Sequence, residues 1–581
     1  MRQAQESEFT SFDGTPLFYR HWPAQGSGKR AIVIFHRGHE HSGRLQHVVD
    51  GLNLDDCAMF AWDARGHGRN PGERGYSPGI GTSIKDVDAF IRHICSNYAI
   101  DITDIVVVAQ SVGAVLAAAW VHDYAPRIRG MVLASPAFKV KLYVPFARPG
   151  LRMMQALRGK FFVNSYVKAK FLTHDPERIA SYNSDPLITR PIAANILLEL
   201  YDTAERLVAD AGAIQTPTQL LISGADWVVH HKPQHDFFDR LGSELKEKHV
   251  FKDFFHDTLG EKDRHLALDR ARAFIERLYA APAAAPSLLD ADKAGYTWNE
   301  YQALATPLPA WSPKGLVFAA ARANMASFGR LSSGVSLGFA TGFDSGSTLD
   351  YVYRNRAEGI TPLGRLIDWF YLNAVGWRGI RVRKQHIERA LRETVAKLVH
   401  AGSPIRILDI AAGHGRYVLE ALDGMPDHIE SVLLRDFSEL NVAAGTRLIR
   451  QKEMTSLARF ERGDAFDEES LAGVTPRPTL AVVSGLYELF PDNAPVRASL
   501  SGLARAVEAG GYLVYTNQPW HPQVEFIARV LTSHRDGRPW IMRRRTQAEM
   551  DQLVDAAGFE KVDEYADDWG IFTVSVARRR A

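Results

Sequence analysis

The chain has very little cysteine. Only Cys57 and Cys95 occur among its 581 residues, which excludes a disulfide framework and suits two small core residues in a reducing compartment. Long apolar runs are missing too. No uninterrupted stretch of about 18 apolar residues occurs, and the opening MRQAQESEFTSFDG lacks the apolar core of a signal peptide. The expectation is therefore a cytoplasmic protein without a spanning helix. Net charge is nearly absent as well: 69 Lys and Arg against 67 Asp and Glu leave +2. That gives no general affinity for nucleic acid, so any basic patch has to be local. No internal repeat of about 20–50 residues stands out.

What is present is ordinary for a globular protein, with 46% hydrophobic and 23% charged residues. The length exceeds the roughly 250–300 residues at which a single core stops growing, so two domains are expected. From residue 31 apolar runs alternate with helical patterns: AIVIF (31–35), AMFAW (58–62), IVVVA (105–109), GMVLA (130–134), TQLLIS (218–223) and KHVFKDFF (248–255). Such alternation predicts a mostly parallel sheet covered on both faces. An insertion at about 137–212 reads as a helical cap over the strand ends. The Ala/Pro-rich stretch 280–292 reads as a linker. Residues 281–344 are expected to be linker and connecting helices, with SSGVSLGFATGFDSGS as a mobile loop. A long helical pattern near 384–400 leads into a second series, RILDI, SVLLRDF, RFERGDA, TLAVVSGLY, YLVYTNQ and a closing pair near KVDEY and FTVSVA. This predicts a second doubly wound α/β domain over 345–581.

Two turns carry chemistry. In AQSVG, Ser111 follows an apolar strand and precedes a helix of small residues, the context of a nucleophile elbow with Ala109 in place of the usual first glycine. A serine hydroxyl needs a base and an orienting carboxylate, in the chain order Ser, Asp, His for such a sheet. Asp226 in GADWVV and His256 in FFHDTLGE follow the right strands, with His265 as the main competitor for the base. The oxyanion donors would be the amide of Val112 and an amide of the FHRGHEHSGR loop, Gly38 or Arg37. Over residues 8–280, FDGTPLFYRHW, FHRGHEHSGR, AWDARGHGRNPG, AQSVG, GADWVV and FFHDTLGE resemble α/β-hydrolases of the monoacylglycerol lipase and serine aminopeptidase type. The resemblance implies an α/β-hydrolase fold and hydrolysis of an acyl ester. It departs from the family pattern at His36-Arg37-Gly38, where the family usually has HG. Between Phe138 and Lys170 the cap carries eight Lys and Arg and no acid, interleaved with apolar residues. That suits contact with an anionic membrane, or equally a cap with its apolar face packed and its basic face in water.

In RILDIAAGHGRY the strand ends at Asp409, and Ala411, Ala412, Gly413 and Gly415 let the backbone pass close to a ligand. Asp436 ends the next strand, where a carboxylate can hold ribose hydroxyls, and Asp464 with the amide of Ala465 follows the third, where an adenine edge could be read. With GDAF after the third strand and SGLYELFPD after the fourth, residues 345–581 resemble class I S-adenosylmethionine-dependent methyltransferases rather than nicotinamide enzymes. The resemblance implies S-adenosylmethionine as cofactor and a Rossmann-like fold. Candidates for the acceptor site are Tyr487, Glu488, His521, Tyr351 and Tyr353, each equally readable as packing. NQPW (517–520) follows the fifth strand, so it is not an amino-methylating NPPY motif. The order of the two halves resembles bacterial bifunctional hydrolase/methyltransferases. The expected function is hydrolysis of a carboxylic ester of a lipid-like substrate together with methylation of a small or lipidic acceptor. The alternative is a hydrolase or acyltransferase regulated by a non-catalytic S-adenosylmethionine-binding domain. Neither a metal nor nucleic acid is expected.

Overall fold

A computed structural model describes residues 2–581 except Ser27, Pro145, Ala284, Pro426, Asp427 and Asp536. Two compact units divide the chain, Met1–Pro286 and Ser287–Ala581. The boundary falls inside the Ala/Pro-rich stretch read as a linker, of which Ala284 lies outside the described residues.

The first unit is built on eight strands: β1 (Gln5–Thr10), β2 (Pro16–Trp22), β3 (Arg30–Phe35), β4 (Cys57–Trp62), β5 (Ile105–Gln110), β6 (Gly130–Ala134) and, beyond a cap, β9 (Thr218–Ser223) and β10 (Lys246–Phe251). A short ribbon of β7 (Phe162–Asn164) and β8 (Pro191–Ala193) belongs to the cap. The sheet order is β1-β2-β4-β3-β5-β6-β9-β10. β1 and β2 run antiparallel to their neighbours and the rest are parallel. Sequence periodicity from residue 31 onward reveals the parallel strands; the leading hairpin escapes it. All six residues of β5 are buried, as a central strand covered by helices on both faces requires. Helix Val112–Tyr124 behind it is buried except at its first residue, which explains its run of alanines. The helices Ala147–Arg158, Pro176–Ser184 and Ala194–Ala209 form the cap.

The second unit carries β11 (Ile405–Ile410), β12 (Ile429–Asp436), β13 (Ala458–Arg462), β14 (Leu480–Val483), β15 (Tyr512–Asn517), β16 (Phe559–Ala566) and β17 (Thr573–Arg579). Their order is β13-β12-β11-β14-β15-β17-β16. Only β17 runs against its neighbours. Strand order reverses between β11 and β14, the switch point where open α/β sheets bind ligands. An antiparallel strand wedged beside β15 distinguishes this sheet from the all-parallel dinucleotide-binding one.

Residues 287–344 are not a connector. They belong to the second unit, and the SSGVSLGFATGFDSGS stretch, expected to be a mobile loop, forms helix Ser333–Thr341 and the start of helix Gly346–Arg354. Ser332 and Ser345 cap these helices through their side chains, so serines that read as loop are helix starts. Two of three consecutive buried arginines hold the segment down, and the third braces the loop after β14. Arg543 donates to Thr297 Oγ1 at 2.9 Å and to Glu549, Arg544 pairs with Glu300, and Arg545 donates to the carbonyls of Tyr487, Phe490 and Asp492. Buried guanidinium groups persist only when paired in this way.

Candidate functional sites

At the tip of β5, Ser111 has φ 55° and ψ −115°. Such backbone costs about 1–3 kcal/mol and persists only where the surroundings over-determine it. Here the Ser111 amide donates to Ala134 O at 2.9 Å, and its carbonyl accepts from the Ala137 amide at 3.1 Å. Gly113 is required for a different reason. A Cβ there would lie 2.5 Å from His36 O and 2.8 Å from Phe35 O, so only glycine lets the helix begin against the end of β3.

Ser111 Oγ lies 2.8 Å from His256 Nε2, and His256 Nδ1 lies 2.7 Å from Asp226 Oδ2. Asp226 Oδ1 accepts from the amides of Val228 and Val229 at 2.6 and 3.0 Å. Burial alone would raise the Asp226 carboxyl, but the His256 charge, its hydrogen bond and the two amides outweigh it and hold the group below its ordinary value. All three residues are buried. The competing His265 is exposed at a helix start. Gly38 abuts the residue after the nucleophile, since a Cβ on it would sit 3.3 Å from Val112 Cγ2. The loop after β3 thus faces the start of the Ser111 helix, the arrangement that two oxyanion donors need. His36 holds that loop: its Nε2 accepts from the Ala64 amide at 2.9 Å, so Nδ1 donates to Arg37 O at 2.7 Å.

The departure at Arg37 has a structural reason. Its side chain is buried and pairs with Glu40 at 2.7 Å and Asp257 at 3.8 Å. Arg178 of the cap pairs with Asp257 at 2.9 Å, and Gln110 Nε2 donates to Asp257 Oδ1 at 3.0 Å. The oxyanion loop, the nucleophile strand, the histidine loop and the cap therefore meet on one carboxylate. Burial would raise Asp257, but Arg178, Arg37 and the other neighbours hold it far below the usual carboxylate range. Sequence reading missed Gln110 and Asp257, although both flank triad residues.

The cap's basic residues are partly neutralised. Arg148 pairs with Asp202 and Glu205, Arg152 with Asp202, and Lys160 with Glu73. Its apolar residues are not covered, with Phe146 86% and Leu157 79% exposed.

In the second unit, Ala411, Gly413 and Gly415 all take positive φ, at 53°, 59° and 71°. At Gly413 a Cβ would meet only Gly346 Cα, at 3.5 Å; at Gly415 it would run into Leu434 Cδ1 at 2.4 Å. Gly415 thus serves helix packing, while Gly413 keeps the turn's backbone approachable. Asp409 does not face that approach. It is fully buried, with Oδ1 accepting from Tyr417 Oη at 3.0 Å and Oδ2 unpaired. Burial without a cation raises its carboxyl well above the ordinary value, and the nearby Asp436 adds to this. Asp436 accepts from the Gly413 and Ser438 amides at 2.9 Å each and from Asn441 Nδ2 at 3.0 Å. Three of about four acceptor sites on a carboxylate are thereby used, which leaves one open. Asp464 is exposed, its Oδ1 accepting from the Phe466 amide at 2.9 Å, and Ala465 is buried beside it.

A cavity of about 330 Å³ opens at the C-terminal ends of β14 and β15. Of the five acceptor candidates, Glu488 and His521 line it, with Arg383, Gln518 and a largely apolar wall. Tyr487, Tyr351 and Tyr353 do not. The Tyr487 hydroxyl bonds Ser499 Oγ at 3.0 Å, that of Tyr351 bonds Asp368, and Tyr353 packs edge-on against Tyr417. Those three are packing residues. Arg383, buried on helix Val375–His400, lies 3.4 Å from Glu488; nothing in its local sequence marks it among the neighbouring surface arginines. Burial raises Glu488 despite Arg383, and burial lowers His521 to about 4, leaving it neutral at pH 7. His521 Nδ1 accepts from the Gln523 amide at 3.0 Å, so the proton sits on Nε2.

Comparison with known proteins now bears on both sites. The family model described as "Putative methyltransferase" matches residues 271–579, and that described as "Serine aminopeptidase, S33" matches residues 26–263. The protein YnbC of Escherichia coli (strain K12) is 58% identical over 99% of this chain and 98% of its own length. The chain belongs to this methyltransferase family. It joins a lipase- and aminopeptidase-like hydrolase domain to a methyltransferase-like domain. The monoacylglycerol lipase of Mycolicibacterium smegmatis is 24% identical over 46% of this chain and 96% of its own. A monoacylglycerol lipase structure from Paleococcus ferrophilus is 22% identical with a TM-score of 0.40, covering 48% of this chain and 99% of its own. The methyltransferase match begins at residue 271, so it includes the helices of 287–344 that local sequence assigned to a connector.

Proposed function

We propose that the chain is a bifunctional enzyme, a serine ester hydrolase acting on a lipid-like acyl ester and an S-adenosylmethionine-dependent methyltransferase acting on an apolar acceptor. The observation that carries the first half is the Ser111, His256, Asp226 relay at 2.8 and 2.7 Å. Ser111 Oγ attacks the ester carbonyl carbon while His256 Nε2 takes its proton, and Asp226 stabilises the imidazolium. The amides of Val112 and Gly38 receive the oxyanion. The alcohol leaves with the proton from His256, and a water deprotonated by His256 then releases the acid from Ser111. Labelling by a fluorophosphonate and turnover of a monoacylglycerol, both lost in Ser111→Ala, test this; labelling that survives the substitution refutes it. Exposed apolar residues on the cap support peripheral contact with a membrane, with less charge than its basic composition suggests.

For the second half, the approachable Gly413 turn, the residual acceptor site on Asp436 and the Asp464-Ala465 turn fit the cofactor, and these residues would hold it. When bound, it supplies a methyl group on a sulfonium. The protein's own contribution is orientation: His521 Nε2–H presents a donor to an oxygen in the cavity, and Glu488 presents an acceptor for a hydroxyl proton. Calorimetry with S-adenosylmethionine, followed by methyl release with a cell lipid extract, tests this half. Binding without turnover would instead mark the domain as a regulator of the hydrolase.

A further inference from the structure

We infer that the helical face of residues 311–372 in the second unit is a docking surface for an anionic lipid bilayer. The face is apolar where a helix surface ought to be polar. Ile360 is 90% exposed, Phe370 63% and Trp369 52%, and Leu316, Phe328 and Leu363 are exposed with them. The elements that carry them adjoin, since helix Pro313–Ala326 packs on the turn Phe328–Leu331, that turn packs on helix Pro362–Leu372, and Ile360 lies two residues before the latter.

Its charge is one-sided. Residues 311–372 contain six Lys and Arg, all exposed, and four acids, of which Asp344, Asp350 and Asp368 are buried and only Glu358 is exposed. Lys314 and Arg354 are ion-paired, at 2.7 Å to Glu525 and 3.3 Å to Asp350. Among the described residues Arg356 and Arg365 have no ion pair, and they flank Ile360 and Leu363 in the chain. Apolar side chains bordered by unpaired guanidinium groups match the acyl boundary and phosphate layer of an anionic membrane.

The face also continues into the cavity. Phe370 is both exposed and part of the cavity wall, with Ile367 and Met325 beside it. A bilayer on this face therefore meets the mouth of a cavity whose walls are themselves apolar, and a membrane-dissolved acceptor enters without crossing water. That consequence rests on the methyltransferase reading. The docking does not.

The test is co-sedimentation of the full chain with vesicles of phosphatidylglycerol mixed into phosphatidylcholine, against vesicles of phosphatidylcholine alone. We expect binding to the anionic vesicles that weakens with added salt, and at least about a tenfold loss in Ile360→Ser/Leu363→Ser/Trp369→Ser, none of which lines the cavity. Arg356→Glu/Arg365→Glu, which leaves the apolar packing intact, should lose binding to the anionic vesicles alone. Absence of wild-type binding, or binding that survives both variants, would overturn the inference; survival there with loss in Phe146→Ser/Leu157→Ser would assign attachment to the hydrolase cap instead. Sedimentation velocity showing a dimer that both variants dissociate would overturn it too, in favour of a second copy as the occupant. Calorimetry with S-adenosylmethionine on the same variants keeps the two readings apart, since cofactor binding should be unaltered whichever way docking falls.

Discussion

The turns after β5 and β11 begin alike, as an apolar strand passing through small residues into a helix, and finish differently. At Ser111 each polar atom of the relay has its partner: hydroxyl to imidazole, imidazole to carboxylate, carboxylate to two amides. At Asp409 one carboxylate oxygen is buried without a partner, as are Ser484 Oγ after β14 and Arg383 Nε beside the cavity. A covalent mechanism depends on groups that are aligned before substrate arrives. Around β11 and β14 the described protein atoms alone do not close the hydrogen-bond network.

The sharpest way to break this comparison is Ser111→Ala. Ester turnover should fall by about 10⁴-fold or more, while the affinity for S-adenosylmethionine measured by calorimetry stays constant; a parallel fall in both would mean that the two sites are not independent. Asp257→Ala should come next. Removing the carboxylate shared by Arg37, Arg178 and Gln110 leaves buried cations unpaired, so the hydrolase unit should lose about 3–5 kcal/mol in denaturant unfolding, with cofactor affinity untouched. Asp436→Ala should act on the other side alone. Loss of charged hydrogen bonds worth about 1.5–3 kcal/mol should raise the S-adenosylmethionine dissociation constant about 10- to 100-fold at unchanged ester turnover.

Acid response should give the smallest effect and separate the carboxylates of the two turns by sign. Asp226 and Asp257 sit below their ordinary values in the fold. Their stabilisation is present above the unfolded carboxylate pKa of about 4 and is lost as pH falls through the folded values. Asp409 is raised in the fold, so its cost is absent below the unfolded value and grows as pH rises above it. Between pH 5 and 7 acidification should therefore add nothing through Asp226 and Asp257, whereas through Asp409 it should stabilise, a slope opposite in sign to that of His521, whose lowered value costs stability as the pH falls. Asp409→Asn should flatten that slope in pH-dependent calorimetry; an unchanged slope would show that another group carries it.

What the sequence makes legible follows the same division. Ser111, Asp226 and His256 stand at strand ends whose order fixes their meeting, so local patterns suffice. The turn at Gly413 and the acid at Asp436 are readable for the same reason. Arg383 is not, because it reaches Glu488 across 105 residues from a helix whose other arginines are exposed or half-buried. Within 311–372 the helix Pro313–Ala326 falls among the expected connecting helices, whereas Ser333–Thr341 is hidden because its serines and glycines read as loop. Tyr351 and Tyr487 show the opposite error, being polar-tipped residues near the site whose hydroxyls are spent on Asp368 and Ser499.

The three buried arginines at 543–545 set where the chain can be divided. A fragment starting at 345, where the strand pattern suggests a domain begins, would strip Arg543 of Thr297 and Arg544 of Glu300 and leave guanidinium charge in a closed interior. A fragment starting at 287 keeps every one of those partners. The true edge of the methyltransferase domain is thus written some 250 residues downstream of the edge itself, in a triplet that reads at first sight like a surface patch.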